Sequence, residues 1–357
     1  MGAIVSEQKR ARIRATHILW IGAGLLALAL VALAVAGCGT ASNVTSTAGA
    51  KQPNGTVTVA NDIPHIVDQV EPEVVTVLTP NGGVGSGVIY RSEGIILTNE
   101  HVVRGSPDVQ IAFADGTRDA GTVISEDADT DLALVRVQRK NLPTATFQTA
   151  LPQVGAPDVV LGSPLGFSNT VTSGIVSGLH RSIPGAAQES PALVDLLQTD
   201  APISPGNSGG AVVDTQGRVI GITDAYIPPQ QGAVAIGFAI PAATAVSVAD
   251  QLLKTGRVEH AFIGVQPAEL TPELSREFGL DEPSGVLVYG VTDGGPAAQA
   301  GIQPGDVLTA LGDRRLENVE DIYVTLRQHR PGQKLRVAFV RDGRPREVTL
   351  TLSSKAQ

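Results

Sequence analysis

The chain has 357 residues, enough for two domains of ordinary size plus flanking segments. Hydrophobic residues make up 42% and charged residues 17%, so large cores can be buried. A formal net charge of −9 argues against a nucleic-acid-binding body, and a single cysteine, Cys38, excludes an internal disulfide and a structural zinc cluster.

At the amino terminus, Lys9, Arg10, Arg12 and Arg14 precede an uncharged run from Ile18 to Ala36. That run is at the short end for a bilayer span, yet longer than an ordinary signal-peptide core. The cations hold their end in the cytoplasm, so the rest of the chain is exported. The run closes on Val35-Ala36-Gly37-Cys38, which resembles a bacterial lipoprotein signal. Cys38 is then a lipidated first residue, or else a cysteine at the end of an uncleaved helix. Either leaves the protein on the outer face of the cytoplasmic membrane; release by cleavage is a third route. Residues 1–38 are thus read as signal or anchor. Residues 39–60, rich in Ser, Thr, Gly, Ala and Asn, are read as a flexible linker.

From 61 to 256, short apolar runs alternate with turn signals: EVVTVLT (73–79), SGVIY (86–90), GIILTN (94–99), DVQIAF (108–113), LALVRV (132–137), DVVLG (158–162), AVVD (211–214), RVIGIT (218–223) and AIGFAI (235–240). This pattern predicts a mainly β domain, as paired barrels or a sandwich. A closing helix is expected to open at Pro241 and exit at Gly256. Residues 258–357 read as a small α+β domain. Its strand-like pieces are FIGV (262–265), GVLVYGV (285–291), VLTALG (307–312), LRVAFV (335–340) and EVTLTL (347–352), and its helix is capped by Asn318.

Three segments carry chemistry. In TDAPISPGNSGG (199–210), Ser208 precedes two glycines. Such a turn can aim the N–H groups of Gly206 and Ser208 at one point beside the hydroxyl, as an oxyanion hole requires. Asn-Ser-Gly-Gly is also ordinary turn chemistry. A serine needs a base, and among six histidines only His101, in LTNEHVV (97–103), follows a strand ending in an Asn-Glu turn. His17 lies beside the anchor, and His65, His180, His260 and His329 read as solvated. In DADTDLALVRV (127–137), Asp131 opens an apolar strand and can hold the imidazole, while Asp127 and Asp129 read as solvated acids. The order His, Asp, Ser is that of two-barrel proteases of the chymotrypsin type. No histidine pair has metal-ligand spacing, so neither metal nor cofactor is expected.

These segments, with LGSPLGFSNTVTSGIVS (161–177), LQTDAPISPGNSGGAVVD (197–214) and GFAIP (237–241), resemble the HtrA/Deg family of serine proteases over residues 61–353. The resemblance implies a chymotrypsin-like double β-barrel with the triad on His101, Asp131 and Ser208. It also implies an oxyanion hole from Gly206, Asn207 and Ser208, one PDZ domain, and a trimer. FIGV, that is Phe262, Ile263, Gly264 and Val265, matches the loop that receives a peptide's terminal carboxylate, and GGPAAQAGIQPGDVLTALGDRRL (294–316) matches the segment before the groove helix. Ile322 and Leu326 are groove residues or simply core. One PDZ domain with an amino-terminal anchor resembles the membrane-tethered branch.

Ala201-Pro202-Ile203-Ser204 carries no acid, so cleavage is expected after small or medium apolar residues, with Ile203 and Ile236 as pocket walls. Unfolded exported proteins are the expected substrates. Asn207 lacks the charge of a zymogen aspartate, so peptide binding is expected to order the loops 181–196 and 225–233 instead. A catalytically silent chaperone or peptide-binding protein of the same fold is the alternative.

Overall fold

The computed structural model describes residues 59–163, 170–183, 193–226, 236–277 and 285–355. The anchor, Cys38, nearly all of the 39–60 linker and most of the two expected switch loops lie outside them. Among the described residues, no helix is long and apolar enough to cross a membrane.

Two closed six-stranded barrels form the first domain. In the first, β1 (Val74–Leu78), β2 (Val84–Arg91), β3 (Ile95–Thr98), β4 (Asp108–Ala112), β5 (Arg118–Asp127) and β6 (Leu132–Val137) close in the order β1-β2-β3-β6-β5-β4. In the second, β7 (Pro157–Gly162), β8 (Thr170–Arg181), β9 (Leu196–Thr199), β10 (Ala211–Val213), β11 (Val219–Tyr226) and β12 (Gly237–Pro241) close in the order β10-β11-β12-β9-β8-β7.

The continuous apolar runs follow from strands buried on both faces. Side chains alternate along a strand, so successive residues enter different cores. Val75, Ile89, Ile96 and Val135 fill the first barrel, and Val160, Leu197, Val212 and Ile220 fill the second. Their neighbours Val88, Leu97, Leu134, Leu161, Leu196 and Ile222 join one larger core that both barrels share.

Two helices cover that shared core. Helix α1 (Val59–Val70) brings Ile63, Ile66, Val67 and Val70 to one face, and begins inside the stretch expected as linker. Between β3 and β4, helix α2 (Glu100–Val103) carries His101. Helix α3 (Ala242–Thr255) buries Ala245, Val248, Ala249 and Leu252; Pro241 stands just before its first residue without a capping hydrogen bond, and Gly256 ends it at φ 73 with its N–H on Leu252 O.

Asp158 lies within the second barrel, 1% exposed, and accepts from Thr199 Oγ1 at 3.0 Å. Burial pushes its carboxyl up to about 6, only partly offset by that hydroxyl. A group that binds its proton more tightly when folded makes stability fall as pH rises from about 4 to 6. Asp158→Asn is expected to remove that slope and to raise stability at pH 7 by about 1–3 kcal/mol. Denaturant titrations at pH 4 and pH 7 check this; an unchanged difference between the two would contradict it.

The second domain has a sheet in the order β14-β15-β16-β18-β19, from β14 (Val265–Glu269), β15 (Val286–Val291), β16 (Val307–Leu311), β18 (Lys334–Arg341) and β19 (Arg344–Thr351), with β17 (Arg314–Arg315) beside β16. Strands β13 (Ala261–Phe262) and β20 (Ser353–Ser354) pair separately, so the FIGV segment is split by Ile263 and Gly264. Short helices α4 (Pro272–Glu277) and α5 (Pro296–Gln299) precede α6 (Val319–Arg327). Asn318 caps α6, its Oδ1 accepting from Asp321 N at 3.1 Å.

Candidate active site

Asn99 leaves β3 with extended geometry and starts the short helix α2, so His101 stands one residue inside it. Asp131 sits opposite, on the turn that enters β6, in the left-handed region at φ 52. Aspartate tolerates that conformation better than most residues, and four contacts fix it. Its carbonyl accepts from Asn99 Nδ2 at 2.9 Å and from Glu100 N at 3.1 Å. Its Oδ1 accepts from His101 N at 2.8 Å, and its Oδ2 lies 2.5 Å from His101 Nδ1. The carboxylate is buried while the imidazole is more than a third exposed, so one ring edge is tethered and the other faces the cleft.

Ser208 comes from the second barrel on the turn into β10, and strand β2 of the first barrel clamps that turn. Ser86 N donates to Ser208 O at 2.8 Å, and Ser86 Oγ donates to Gly206 O at 2.7 Å. Thr98 Oγ1 in turn donates to Ser86 O. Gly209 is required here: its φ is 84, and a Cβ would lie 2.2 Å from Ser86 O. The Ser208 hydroxyl donates to Asp224 O at 3.2 Å. It is therefore turned to strand β11 and is not hydrogen bonded to His101.

Among the described residues, no acceptor takes the N–H of Gly206 or Ser208. Asn207 differs: its N–H closes the turn on Ser204 O at 3.0 Å, so it is not a free oxyanion donor as expected. Its side chain is fully buried. Ile203 is buried in the second-barrel core and stacks over Gly237, where a Cβ would meet Ile203 Cδ1 at 2.6 Å. Ile236 is partly buried against the shared core.

Asp224 carries no expectation from sequence, because β11 was expected to end at Thr223. The strand runs on to Tyr226 and buries Asp224 at 6% exposure. Its carboxyl, that of Asp131 and the His101 ring converge within 4.8 Å of one another. Burial, then the adjacent Asp131 carboxylate, hold the Asp224 carboxyl well above the usual carboxylate range, and Arg327 opposes them.

Phe262, Ile263, Gly264, Val265, Ile322 and Leu326 line one groove between β14 and α6. Strand β14 is a sheet edge, and Gly264 stands at φ 81 before it. Ile322 and Leu326 are at the same time members of the domain core. Asp129, from the loop that presents Asp131, also borders the groove.

That loop is not a run of solvated acids. Asp127 is 2% exposed, accepting from Thr130 Oγ1 and lying 2.8 Å from His260 Nε2. Asp129 pairs with Lys355 Nζ at 2.7 Å. His260 is mostly buried by this contact rather than solvated. Arg327, at the end of α6, donates to Val194 O at 2.6 Å and to Asp129 O at 3.0 Å. Val194 itself is buried in the second domain's core.

Residues 85–222 match a trypsin-like peptidase domain, and residues 261–352 match a PDZ domain. A putative serine protease HhoB from a Synechocystis species is 38% identical over 277 residues, covering 75% of this chain and 66% of the relative. The periplasmic pH-dependent serine endoprotease DegQ of Escherichia coli is 36% identical over 281 residues, covering 77% of this chain and 60% of the relative. The chain thus spans about three fifths of the curated relatives it matches. A solved HtrA-type protease, AlgW with a decapeptide, superposes with a TM-score of 0.68 at 32% identity, covering 84% of this chain and all of that one.

Proposed function

The chain belongs to the HtrA/Deg family of serine proteases, and from that premise we propose that it is an extracytoplasmic serine endopeptidase of unfolded proteins, regulated through its PDZ domain. The observation that carries this reading is the His101–Asp131 pair at 2.5 Å, in the cleft that also holds Ser208. In the proposed reaction, Ser208 rotates from Asp224 O to His101 Nε2, which takes its proton as the oxygen attacks the scissile carbonyl. The N–H groups of Gly206 and Ser208 receive the developing oxyanion. His101 then protonates the leaving amine, and water repeats the sequence to release the acyl group.

The acid-free segment before the serine and the apolar Ile203 and Ile236 favour cleavage after small or medium apolar residues. Folded proteins bury such residues, which selects unfolded chains. The periplasmic relatives and the cation-led apolar run before Cys38 favour a location outside the cytoplasmic membrane, tethered by a helix or a lipid. A homotrimer is part of the same proposal.

Peptide control rests on the open edge of β14. An incoming chain end adds a strand there and places its carboxylate by Gly264. Movement of α6 then reaches the catalytic loop through Arg327 and Asp129. Arg327→Ala is expected to cut stimulation by carboxyl-terminal peptides to less than about twofold, the loss of a coupling worth roughly 1–3 kcal/mol. Unchanged stimulation in this variant would remove Arg327 from the route.

The test of the whole reading is cleavage of unfolded casein by the full chain, with apolar peptides added as free acids or as carboxyl-terminal amides. Cleavage that stops in Ser208→Ala and is stimulated by the acids alone is expected. No cleavage under any condition favours the silent binding protein instead.

A further inference from the structure

Asp224 touches both halves of the site: its backbone carbonyl holds the Ser208 hydroxyl, and its carboxyl faces the Asp131–His101 pair. Asp131 and Asp224 are each about 5% exposed. Asp224 Oδ2 is buried, and among the described residues no N–H or hydroxyl donates to it, which leaves the Asp131 carboxyl as its neighbour. Two adjacent buried carboxyls do not both ionise, because their repulsion is unscreened. The Arg327 charge nearby is divided among several acids, so a metal ion or a proton must also sit with them. His101 Nδ1 and Asp131 Oδ2 are 2.5 Å apart, the length of a hydrogen bond, whereas two ligands of a tetrahedral zinc ion stand about 3.3 Å apart, so these atoms do not share a metal and the Asp224 charge is left to a proton.

We propose that Asp224 is a positioning residue of the triad, a buried carboxylic acid that keeps its proton and donates it to Asp131. The inference rests on the proteolytic reading above. Asp131 then accepts from both sides and is held with its Oδ2 on His101 Nδ1. A neutral carboxylic acid acting as a donor is an established way of arranging an active site.

Among the described residues, the groups facing Asp224 are few. Asp131 and His101 approach from the first barrel and Ser208 from its own barrel. The Arg327 guanidinium approaches from α6, with its charge shared among Asp195, Asp127, Asp129 and Asp224. Burial and Asp131 favour the protonated acid, and among the described residues Arg327 opposes them. The sign follows. Below the raised value Asp224 is neutral and the triad is held. As pH rises through that value, a second buried negative charge forces Asp131 out of register, and activity falls on the alkaline side.

The experiment compares kcat against pH from 5 to 10 for the full chain and for Asp224→Asn and Asp224→Leu. Each rate is normalised to sites titrated with a fluorophosphonate. The asparagine amide donates without titrating. It is expected to keep activity within about threefold near neutrality and to lose the alkaline decline of the wild type. The leucine variant, lacking any donor, is expected to fall at least tenfold at every pH where it still reacts with the probe. Superimposable wild-type and asparagine profiles would overturn the proposal. So would a folded asparagine variant with no activity, which would mean that an ionised carboxylate is needed. Failure of the wild type itself to take the probe would instead count against the protease reading.

Discussion

Ser208→Ala is expected to lower kcat/KM for an apolar peptide substrate by about 10⁵- to 10⁶-fold, leaving only the catalysis that binding and the oxyanion donors supply. The size of the loss follows from chemistry rather than from packing. Without the hydroxyl no acyl-enzyme forms, and His101 has no proton to take. The change is small in structural terms. Ser208 is held by its backbone, through Ser86 N on its carbonyl, and its side chain contributes one hydrogen bond, to Asp224 O. Thermal unfolding should therefore move little while turnover disappears. A variant that kept more than about one part in a thousand of wild-type turnover would mean that the nucleophile lies elsewhere.

Asp131→Asn is the second large effect, expected at about 10⁴-fold in kcat. Asparagine tolerates the left-handed backbone at this position, and its amide oxygen can still accept from His101 N. What it cannot reproduce is a carboxylate oxygen on each side. An amide NH2 facing His101 Nδ1 drives the ring proton onto Nε2, where it can no longer receive the serine's proton. The loss should appear in kcat with KM nearly unchanged, because the substrate-binding surface is untouched. The Ser208→Ala/Asp131→Asn double variant should be no slower than Ser208→Ala alone, since the two act as one unit.

The three candidate catalytic residues were legible because each lies in a short motif whose neighbours set its local geometry. Asn99 and Glu100 turn the chain before His101, Thr130 precedes the strand entered at Asp131, and Gly209 permits the turn after Ser208. Most strands were legible for the same local reason, as apolar runs bounded by turns. Strand β5, RDAGTVISED, has too few apolar residues to stand out, because most of its side chains remain at least partly exposed. Helix α1 was hidden by Pro64 and by polar residues on its outer face, and only the shared core beneath it makes those 12 residues a helix.

What stayed illegible is tertiary. His260 meets Asp127 across 133 residues, and Arg327 meets Asp129 across 198. No spacing rule connects positions so far apart. Asp127 and Asp129 looked like a solvated acidic turn, and the second domain converts them into an interface. Asp224 was missed because a lone acid after an apolar run reads as the residue that ends a strand, whereas β11 carries it inward.

The central claim is that Ser208 is a nucleophile activated by His101, although its hydroxyl rests on Asp224. The most direct measurement is the rate of fluorophosphonate modification with the site located by peptide mass mapping, run with and without an activating peptide. One adduct on Ser208, formed at least about 10³-fold more slowly in His101→Ala, is the expected result. Absence of any adduct on Ser208 in both states, or equal rates in the two proteins, would contradict it.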